Sequence, residues 1–246
     1  MNEAIRGALS AFLRRLLLRS VLSIEERSAV LGLPGNSMQL RSHYDVAFPG
    51  RKSEFVCLVA EGLLARSDLG ANGARQITSL YIPGDMCDLI ASVLPDVSWT
   101  VATVSSSTVV EVPRAALLAI AAEYPAIAQA LWRDTAVDAA GLGKWIGLLG
   151  RRDARERVAH LFCEMGRRME QIGAGSRWSF QLPMTQEKLG EVVGLTAVHV
   201  NRILRAFRET EIMTFKAGRV KVTNGRLLDE IAEFSSEYLM IPNYNL

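Results

Sequence analysis

The residues best suited to bind another molecule are concentrated between residues 196 and 207. The apolar residues of this stretch recur at the spacing of one buried helical stripe, and they are Val200, Ile203, Leu204 and Phe207. At about 100° per residue, the side chains opposite that stripe are Val198, Arg202 and Arg205, with Asn201 beside them and His199 on a flank. Amide and guanidinium groups on such an outer face can read the edges of DNA bases in the major groove. The stretch is therefore a candidate recognition helix.

A second, shorter helix is predicted immediately before it. Thr185 can cap that helix, Gly194 allows the sharp turn that follows, and Thr196 can cap the next helix. A short helix, a glycine turn and a second helix with basic residues outward form the helix-turn-helix pattern. An ordinary pair of packed helices would have the same buried stripe. The two caps, the glycine and the basic outer face together favour DNA binding.

A basic hairpin is predicted to follow the second helix. Residues 212–216 and 219–223 are β-prone and are joined through Ala217 and Gly218, which is a hairpin signal. Basic side chains on a hairpin in this place form a wing that usually meets phosphates. The complete set of predicted DNA-binding residues is Thr185, Gln186, Thr196, Ala197, Val198, His199, Asn201, Arg202, Arg205, Lys216 and Arg219.

Four members of that set are expected to bind phosphates, which set affinity and salt dependence rather than sequence preference: His199, Arg205, Lys216 and Arg219. For Arg205, a surface ion pair with Glu209, one turn further on, is the competing interpretation. The charge distribution agrees with a local nucleic-acid surface, because residues 177–226 contain nine Lys or Arg against four Glu in a chain of net charge +2. A charge run by itself is usually only a solvated face.

The composition is that of a globular protein. The 246 residues are 49% hydrophobic and 22% charged, enough for one large domain or two modest ones. The uncharged stretch of residues 97–110 is too short for a membrane span. Any apolar core of a signal peptide is interrupted by Glu3, Arg6, Arg14 and Arg15. The cysteines lack the paired spacing of a zinc or cluster site, and they are Cys57, Cys87 and Cys163. We expect reduced thiols in a cytoplasmic protein.

The elements that must position the DNA-binding residues change in character along the chain. Two helices are predicted at the start, over about residues 5–17 and 24–31. From about residue 38 to residue 112, short β-prone runs alternate with turn signals, which indicates an antiparallel sandwich or roll. Helices resume after Pro113, and an amphipathic helix is predicted over residues 153–172. The predicted fold class is α+β, with an N-terminal antiparallel β-roll and a C-terminal winged helix-turn-helix.

A long helix is predicted from Pro125 to about Leu149. Seven of its residues are spaced alternately by three and four, as at the a and d positions of a coiled coil: Ala128, Leu131, Thr135, Asp138, Leu142, Trp145 and Leu149. The expected dimer interface consists of Leu131, Asp138, Leu142, Trp145 and Leu149. Burial of the same stripe on the chain's own domain is the competing interpretation. Each interior glycine weakens this helix by about 1 kcal/mol relative to alanine, so close packing should compensate.

These features resemble the Crp/Fnr family of bacterial transcription regulators. Residues 153–234 are similar to the family's winged helix, and Tyr81–Leu89 is similar to the glycine-rich turn of its β-roll sensor domain. The order of helix, β-roll, long helix and winged helix matches over nearly the whole chain. In this resemblance Arg202 matches the family's base-reading arginine, which can bond guanine O6 and N7 together. Val198 stands where many members have a glutamate that accepts from cytosine, and valine can only touch a thymine methyl.

The chain departs from the cyclic-nucleotide-binding members of that family. Those members carry a Gly-Glu turn, a further glutamate for the ribose and an Arg-Ser or Arg-Thr pair for the cyclic phosphate. Here Asp88 stands near the place of that glutamate, and Trp99-Thr100 replaces the arginine pair, so the phosphate loses its bidentate contact. The residues of a tentative effector pocket are Gly84, Asp85, Asp88, Trp99 and Thr100. We expect that cyclic AMP neither binds tightly nor is required for operator binding.

The sequence also argues against the cofactors considered. The oxygen-sensing members hold an iron–sulfur cluster on closely spaced N-terminal cysteines, but no cysteine here precedes Cys57. His43 and His160 are isolated, as structural histidines usually are, although this leaves a haem open. A catalytic metal site in a cupin-like roll would need several converging histidines or carboxylates, and the predicted roll contains only His43. We expect no cofactor, no catalytic residues and no metal site.

The sequence as a whole predicts a cytoplasmic, homodimeric transcription regulator that is not an enzyme, binds a near-palindromic operator and contacts RNA polymerase. The predicted parts are N-terminal helices (1–32), a β-roll (33–122), a dimerisation helix (123–150), a winged helix-turn-helix (151–234) and a tail (235–246). Two alternatives stay open at this point: a cyclic-nucleotide sensor with an atypical pocket, and a metal-dependent enzyme on a cupin-like roll.

Overall fold

A computed structural model of the chain describes residues 2–50, 53–87, 89–94 and 97–240. These residues form two compact units. The first unit comprises the described residues up to Asp68, those from Leu80 to Ala140, and those from Leu239 onward. The second unit comprises Leu69–Ser79 and Gly141–Tyr238. Within the described ranges, no helix combines the length and the apolar character that crossing a bilayer requires.

The first unit begins with two helices, as predicted. Helix α1 spans Glu3–Leu17 and buries an apolar stripe that includes Leu9, Phe12 and Leu16. Helix α2 spans Ile24–Leu31 and begins with a reciprocal capping box, in which Ser23 and Glu26 satisfy each other's backbone N–H groups. Side chains of both helices join one hydrophobic core with residues of the strands that follow.

The predicted antiparallel roll is confirmed and consists of two four-stranded sheets. The strands are β1 (Asn36–Leu40), β2 (Asp45–Ala47), β3 (Phe55–Glu61), β4 (Leu64–Leu69), β5 (Arg75–Tyr81), β6 (Met86–Cys87), β7 (Thr100–Thr103) and β8 (Ser107–Pro113). One sheet has the order β1-β8-β3-β6 and the other has the order β2-β7-β4-β5. The β-prone runs that indicated the roll include β3, β5, β7 and β8.

Apolar side chains fill the space between the strands of the roll. The buried members of this interior cluster are Leu40, Cys57, Val59, Leu64, Tyr81, Cys87, Val101 and Val109. Trp99 is half-buried and packs against the cluster.

Two helices follow the roll. Helix α3 spans Arg114–Glu123, and helix α4 spans Pro125–Arg151, close to the predicted limits of the long helix. The N-terminal half of α4 packs its residues Ile127, Ala130 and Leu131 into the same core as α1. This core fixes which side of α4 faces the chain's own first unit.

The second unit contains the remaining helices and a small sheet. Its helices are α5 (Ala154–Gln171), α6 (Gln186–Val193), α7 (Ala197–Glu209) and α8 (Gly225–Ala232). Its strands are β9 (Gly175–Ser176), β10 (Ser179–Gln181), β11 (Met213–Lys216) and β12 (Arg219–Val222), in the order β11-β12-β10-β9. Phe162 of α5 and Phe207 of α7 are fully buried and anchor this unit's core. Helix α8 was not predicted.

Candidate DNA-binding surface

The turn between α6 and α7 is built from caps and glycines, as the sequence predicts. The Thr185 hydroxyl accepts from the Lys188 backbone N–H at 3.2 Å, and the Thr196 hydroxyl accepts from the His199 N–H at 3.3 Å. Gly194 ends α6 with a φ of 66°, a left-handed conformation that favours glycine. These local interactions fix where each helix begins and ends.

The turn between the two helices passes close to Gly190 of α6. A Cβ atom at this position would lie 2.3 Å from the carbonyl oxygen of Leu195, so only glycine fits. Asn201 of α7 donates from its side-chain amide to the Gln186 Oε1 of α6 at 2.9 Å. The angle between α6 and α7 is therefore set both by a close backbone approach and by a polar bond on the outer side.

Helix α7 has one buried face and one exposed face, as predicted. Val200, Ile203, Leu204 and Phe207 are buried. On the opposite face Val198 is 81% exposed, and Asn201, Arg202 and Arg205 are exposed as well. At the start of the helix Thr196 and Ala197 are also exposed, while His199 is half-buried.

The predicted wing is a two-stranded hairpin. Lys216 at the end of β11 pairs with Arg219 at the start of β12, and both side chains are exposed. Ala217 and Gly218 between them have φ values of 49° and 75°. Two successive residues with positive φ are typical of the type I′ turn, whose twist matches that of the strands. The turn therefore places the cationic side chains of Lys216 and Arg219 at the tip of the hairpin.

Arg205 takes part in the ion pair that was the competing interpretation. Its Nε lies 2.7 Å from the Glu209 Oε1, and both side chains are largely exposed. The hydrogen bond and the charge of Glu209 raise the pKa of Arg205, and those of Arg205 lower the pKa of Glu209. A contact between Arg205 and a phosphate stays a prediction, and in the structure Glu209 competes for the guanidinium.

The glycine-rich turn of the roll is held by α1, a contact that no local sequence pattern indicates. Gly84 has a φ of 91°, and a Cβ there would lie 3.1 Å from the Cβ of Ala11. The buried carboxylate of Asp85 accepts from the Ile82 N–H at 2.8 Å and from the Arg15 Nη1 at 2.5 Å. Asp85 of the tentative effector pocket is thus engaged by the chain's own guanidinium.

Arg15 is the centre of a larger ion cluster in the first unit. Its Nε lies 2.8 Å from Asp134 Oδ1 and its Nη2 lies 3.2 Å from Asp138 Oδ1, both on α4. Arg19 also pairs with Asp134, at 3.3 Å. Burial by itself lowers the pKa of the Arg15 guanidinium, but the three carboxylates outweigh it and raise the pKa above its ordinary value. For Arg19, burial and the neighbouring Arg15 charge lower the pKa. No helical or heptad pattern signals such a cluster, because its members are far apart in the sequence.

The other residues of the tentative pocket lie elsewhere. Trp99 packs on the roll's interior cluster, with the Arg66 guanidinium 5.2 Å from the centre of its ring. Thr100 is half-buried on β7. Asp88 lies outside the described residues. The pocket assembled from these five positions stays a prediction.

The predicted dimer stripe on α4 is partly engaged by contacts within the chain. Leu131 is only 8% exposed and belongs to the core shared with α1, and Asp138 binds Arg15 of its own chain. Trp145 donates from its indole N–H to Glu164 Oε2 at 2.9 Å. Leu142 and Leu149 are half-buried. Contacts within the chain therefore engage Leu131 and Asp138 of this stripe, and dimerisation through the stripe stays a prediction.

The exposed side of α4, named here the outer face, follows the same alternating spacing one residue further on. Its members are Gln129, Trp132, Ala136, Ala139, Gly143, Ile146 and Gly150. Trp132 and Ile146 are each 72% exposed. A Cβ at Gly143, Gly147 or Gly150 would meet no atom of the described chain within 4 Å. The compensating contact expected for these glycines is therefore not made within the described chain.

The two isolated histidines have different surroundings. His43 is exposed in a turn, with a φ of 61°. His160 of α5 is fully buried, and its Nε2 lies 3.1 Å from the Tyr238 hydroxyl, which in turn donates to Glu164 Oε2 at 2.7 Å. Burial lowers the pKa of His160 to about 4. Among the described residues, no three His, Cys, Asp or Glu side chains converge as metal ligands.

Comparisons with known proteins agree with this architecture. A sequence model described as the Crp-like helix-turn-helix domain matches residues 156–231. The fumarate and nitrate reduction regulatory protein of Vibrio cholerae is 27% identical over 179 residues, which cover 73% of this chain and 71% of that protein. The transcriptional activator protein FnrL of Cereibacter sphaeroides is 27% identical over 195 residues, covering 77% and 78%. The structure of FixK2 from Bradyrhizobium japonicum superposes with a TM-score of 0.75 at 26% identity, covering 82% of this chain and 100% of that one.

A β-roll joined to a winged helix with an exposed basic recognition face defines a DNA-binding transcription regulator. These similarities support a regulator of the Crp/Fnr family. The resemblance to this family, the predicted fold class and the predicted DNA-binding function are therefore confirmed.

Proposed function

We propose that this regulator acts in the cytoplasm as a homodimer, binds a near-palindromic operator, contacts RNA polymerase and catalyses no reaction. The observation that carries the proposal is the outer side of α7, where Asn201 and Arg202 are exposed above a fully buried apolar stripe. A recognition helix of this kind enters the major groove with its N-terminal residues at the base edges. A dimer presents two such helices, so its operator consists of two half-sites related by symmetry.

Sequence preference is assigned to the first two turns of α7. Arg202 can bond O6 and N7 of one guanine, which provides about 1–3 kcal/mol of discrimination. Val198 can touch a thymine methyl but cannot accept a hydrogen bond, so the base pair facing it is only weakly specified. Asn201 is tied to Gln186 in the structure and would exchange that bond for one to DNA.

Affinity without sequence preference is assigned to the wing. Lys216 and Arg219 lie at the hairpin tip, paired across the strands and exposed. Point charges at such a tip neutralise phosphates and release counterions, so they act alike on all DNA sequences.

Selection of bound sites from a random pool of duplexes tests this assignment. Wild type should select a two-fold symmetric site with one strongly required guanine in each half. Arg202→Ala should lose the preference at that guanine, whereas the matched wing variant Arg219→Ala should keep the preference and bind all sequences more weakly. An unchanged sequence preference in Arg202→Ala would show that α7 is not docked as proposed.

Dimerisation is assigned to the outer face of α4. Trp132 and Ile146 lie exposed on it, with alanine and glycine positions between them, and its 3-4 spacing is that of a two-helix seam. Glycines whose Cβ positions meet nothing within the described chain leave space for a second helix to approach closely. In a symmetric homodimer, the second helix comes from another copy of the same chain.

Light scattering combined with operator titration tests this seam. Replacing Trp132 and Ile146 together by Asp should give monomers with weaker operator binding. Leu118→Asp, which changes an exposed apolar residue on α3, is the matched control and should leave the dimer intact. A stable dimer in the double variant would place the interface elsewhere.

The effector stays unassigned, and we propose that cyclic AMP is neither bound tightly nor required. The support is the apolar interior of the roll together with the engagement of Asp85 by Arg15. Calorimetry at millimolar cyclic AMP should show little heat, and operator affinity should not rise. The domain boundaries predicted from the sequence are kept as part of this proposal.

A further inference from the structure

Two cysteines face each other across neighbouring strands of the roll. Cys57 of β3 and Cys87 of β6 are direct partners in the antiparallel register. Both side chains belong to the roll's interior cluster, so they point to the same side of the sheet. Neither sulfur is part of a disulfide. Cysteines 30 positions apart show no motif in the sequence, and only the strand pairing brings them together.

The backbone spacing at this pair suits a disulfide. The Val59 N–H donates to the Asp85 carbonyl at 3.0 Å, so Cys57 and Cys87, two residues further along, occupy a hydrogen-bonded position of the ladder. Residues at such positions have Cα atoms about 5.5 Å apart, within the range that disulfides span. Their Cβ atoms are normally about 4.5–5.5 Å apart, whereas a disulfide needs about 3.5–4.5 Å. Closure is therefore feasible with a small approach of β6 towards β3.

The pair lies at the edge of its sheet. Strand β6 has only two residues and is the edge strand of its sheet. Cys57 is 7% exposed and Cys87 is 3% exposed in the closed state. Short edge segments open at low free energy, and such opening admits a small oxidant to thiols that are otherwise covered.

A movement of β6 would displace Asp85, which belongs to the ion cluster around Arg15. Asp85 lies two residues before Cys87, and its carboxylate is held by Arg15, which also binds Asp134 of α4. The same turn is bonded to β3, since the Gly84 N–H donates to the Val59 carbonyl at 2.9 Å. A displacement that closes the sulfurs must therefore alter the carboxylate position on which Arg15 and α4 depend.

We propose that Cys57 and Cys87 form a redox-active thiol pair that a peroxide closes to a disulfide, and that closure weakens operator binding. One thiolate attacks the peroxide O–O bond, giving a sulfenic acid and one water. The second thiol then displaces hydroxide from the sulfenic sulfur, giving the S–S bond and a second water. Two thiols are oxidised by two electrons and one hydrogen peroxide is reduced. The effect on operator binding rests on the proposed function, but disulfide formation does not.

Peptide mapping of the full-length protein tests the bond itself. Trypsin places the three cysteines in separate peptides, 53–66, 76–114 and 158–167. After treatment of the reduced protein with hydrogen peroxide, a non-reducing digest should contain 53–66 linked to 76–114, with the loss of two hydrogens. Cys57→Ser and Cys87→Ser should abolish that species, with Cys57→Ala and Cys87→Ala as second variants in case serine disturbs the core. Cys163→Ser, which changes a buried cysteine of the second unit, should retain it.

Operator titration of the same samples tests the consequence. Oxidation should weaken binding about fivefold or more, in the range of typical coupling between sites, and a dithiol reductant should restore it. Cys163→Ser should show the same reversible change, and Cys57→Ala should show none. Absence of the linked peptide overturns the proposal, and so does a linked protein with unchanged operator affinity. If the reduced protein binds no operator, the proposed function fails, and the linked peptide still decides whether the thiol pair exists.

Discussion

The two units bury their polar side chains in different ways. In the first unit Arg15 and Arg19 face the carboxylates of Asp85, Asp134 and Asp138, so opposite charges are buried together. In the second unit His160 lies fully buried between aromatic rings and the Tyr238 hydroxyl, with a pKa lowered to about 4. In the first unit the buried guanidinium groups are paired with carboxylates, whereas in the second unit the buried His160 is neutral at neutral pH.

This difference decides what each unit responds to. The first unit buries arginine and aspartate as ion pairs, so it is sensitive to the loss of a partner or to its displacement. A buried neutral histidine must gain a proton as the pH falls, so the second unit is sensitive to acid. The candidate DNA-binding surface shows neither arrangement, because the ion pair between Arg205 and Glu209 on it is exposed.

The largest effect is expected from breaking the cluster of the first unit. Arg15→Met keeps much of the side chain's volume but removes the guanidinium that pairs with Asp85. It also removes the nearer of the two guanidinium groups that pair with Asp134. Removing one partner of a buried ion pair costs about 3–5 kcal/mol, so the free energy of unfolding should fall by that order. Urea denaturation followed by circular dichroism measures it. Arg14→Met, on an exposed position of the same helix, is the control; equal losses in both variants would mean that the cluster is not stabilising.

An intermediate effect is expected from acid in the second unit. The pKa of His160 is lowered in the folded protein from 6.5 to about 4, so the unfolded chain binds the proton more tightly. The contribution of neutral His160 to the free energy of unfolding is fully present above pH 6.5 and is lost as the pH falls towards 4. For a pKa shift of this size, the loss is about 3 kcal/mol.

The change in unfolding free energy between pH 7 and pH 4 tests this in wild type and in His160→Gln. The variant should have a shallower pH dependence whatever its stability at neutral pH. His199→Gln, on the half-buried flank of α7, is the matched control. Identical slopes in wild type and His160→Gln would disprove the assignment.

The smallest effect is expected at the exposed pair on α7. Glu209→Gln removes the competitor for Arg205 and should strengthen binding of all DNA sequences alike. It should also steepen the dependence of log affinity on log salt concentration by about one unit. Glu230→Gln releases Arg226 from an equivalent pair on α8 and is the matched control. If both variants bind DNA as wild type does, Arg205 makes no phosphate contact.

The helix-turn-helix could be predicted from the sequence because its determinants are local. Thr185 and Thr196 cap helices that begin directly after them, and Gly194 provides the left-handed turn between them. The apolar stripe of α7 has the helical period, so its outer residues follow by geometry alone. The same reasoning gave the wing, whose turn residues are adjacent in the chain.

The face of α4 was decided by tertiary structure. Leu131 and Trp132 are neighbours, and a seven-residue repeat can be drawn through either of them with the same alternating spacing. Packing of Leu131 against α1 takes one face into the core, and Trp132 is left on the other. A helical pattern contains no information about which neighbouring element will cover it.

The ion cluster and the thiol pair show the same limit more strongly. Arg15 meets Asp85 and Asp134 across 70 and 119 positions of sequence. Cys57 meets Cys87 only through the register of β3 and β6. The sequence by itself determined helices α1 to α7, the turns of the helix-turn-helix and wing, and the candidate DNA-binding face, because each depends on residues within a few positions of one another. Tertiary packing alone decided which distant charges and thiols became neighbours, because contacts between remote segments follow from the arrangement of whole elements and not from local spacing.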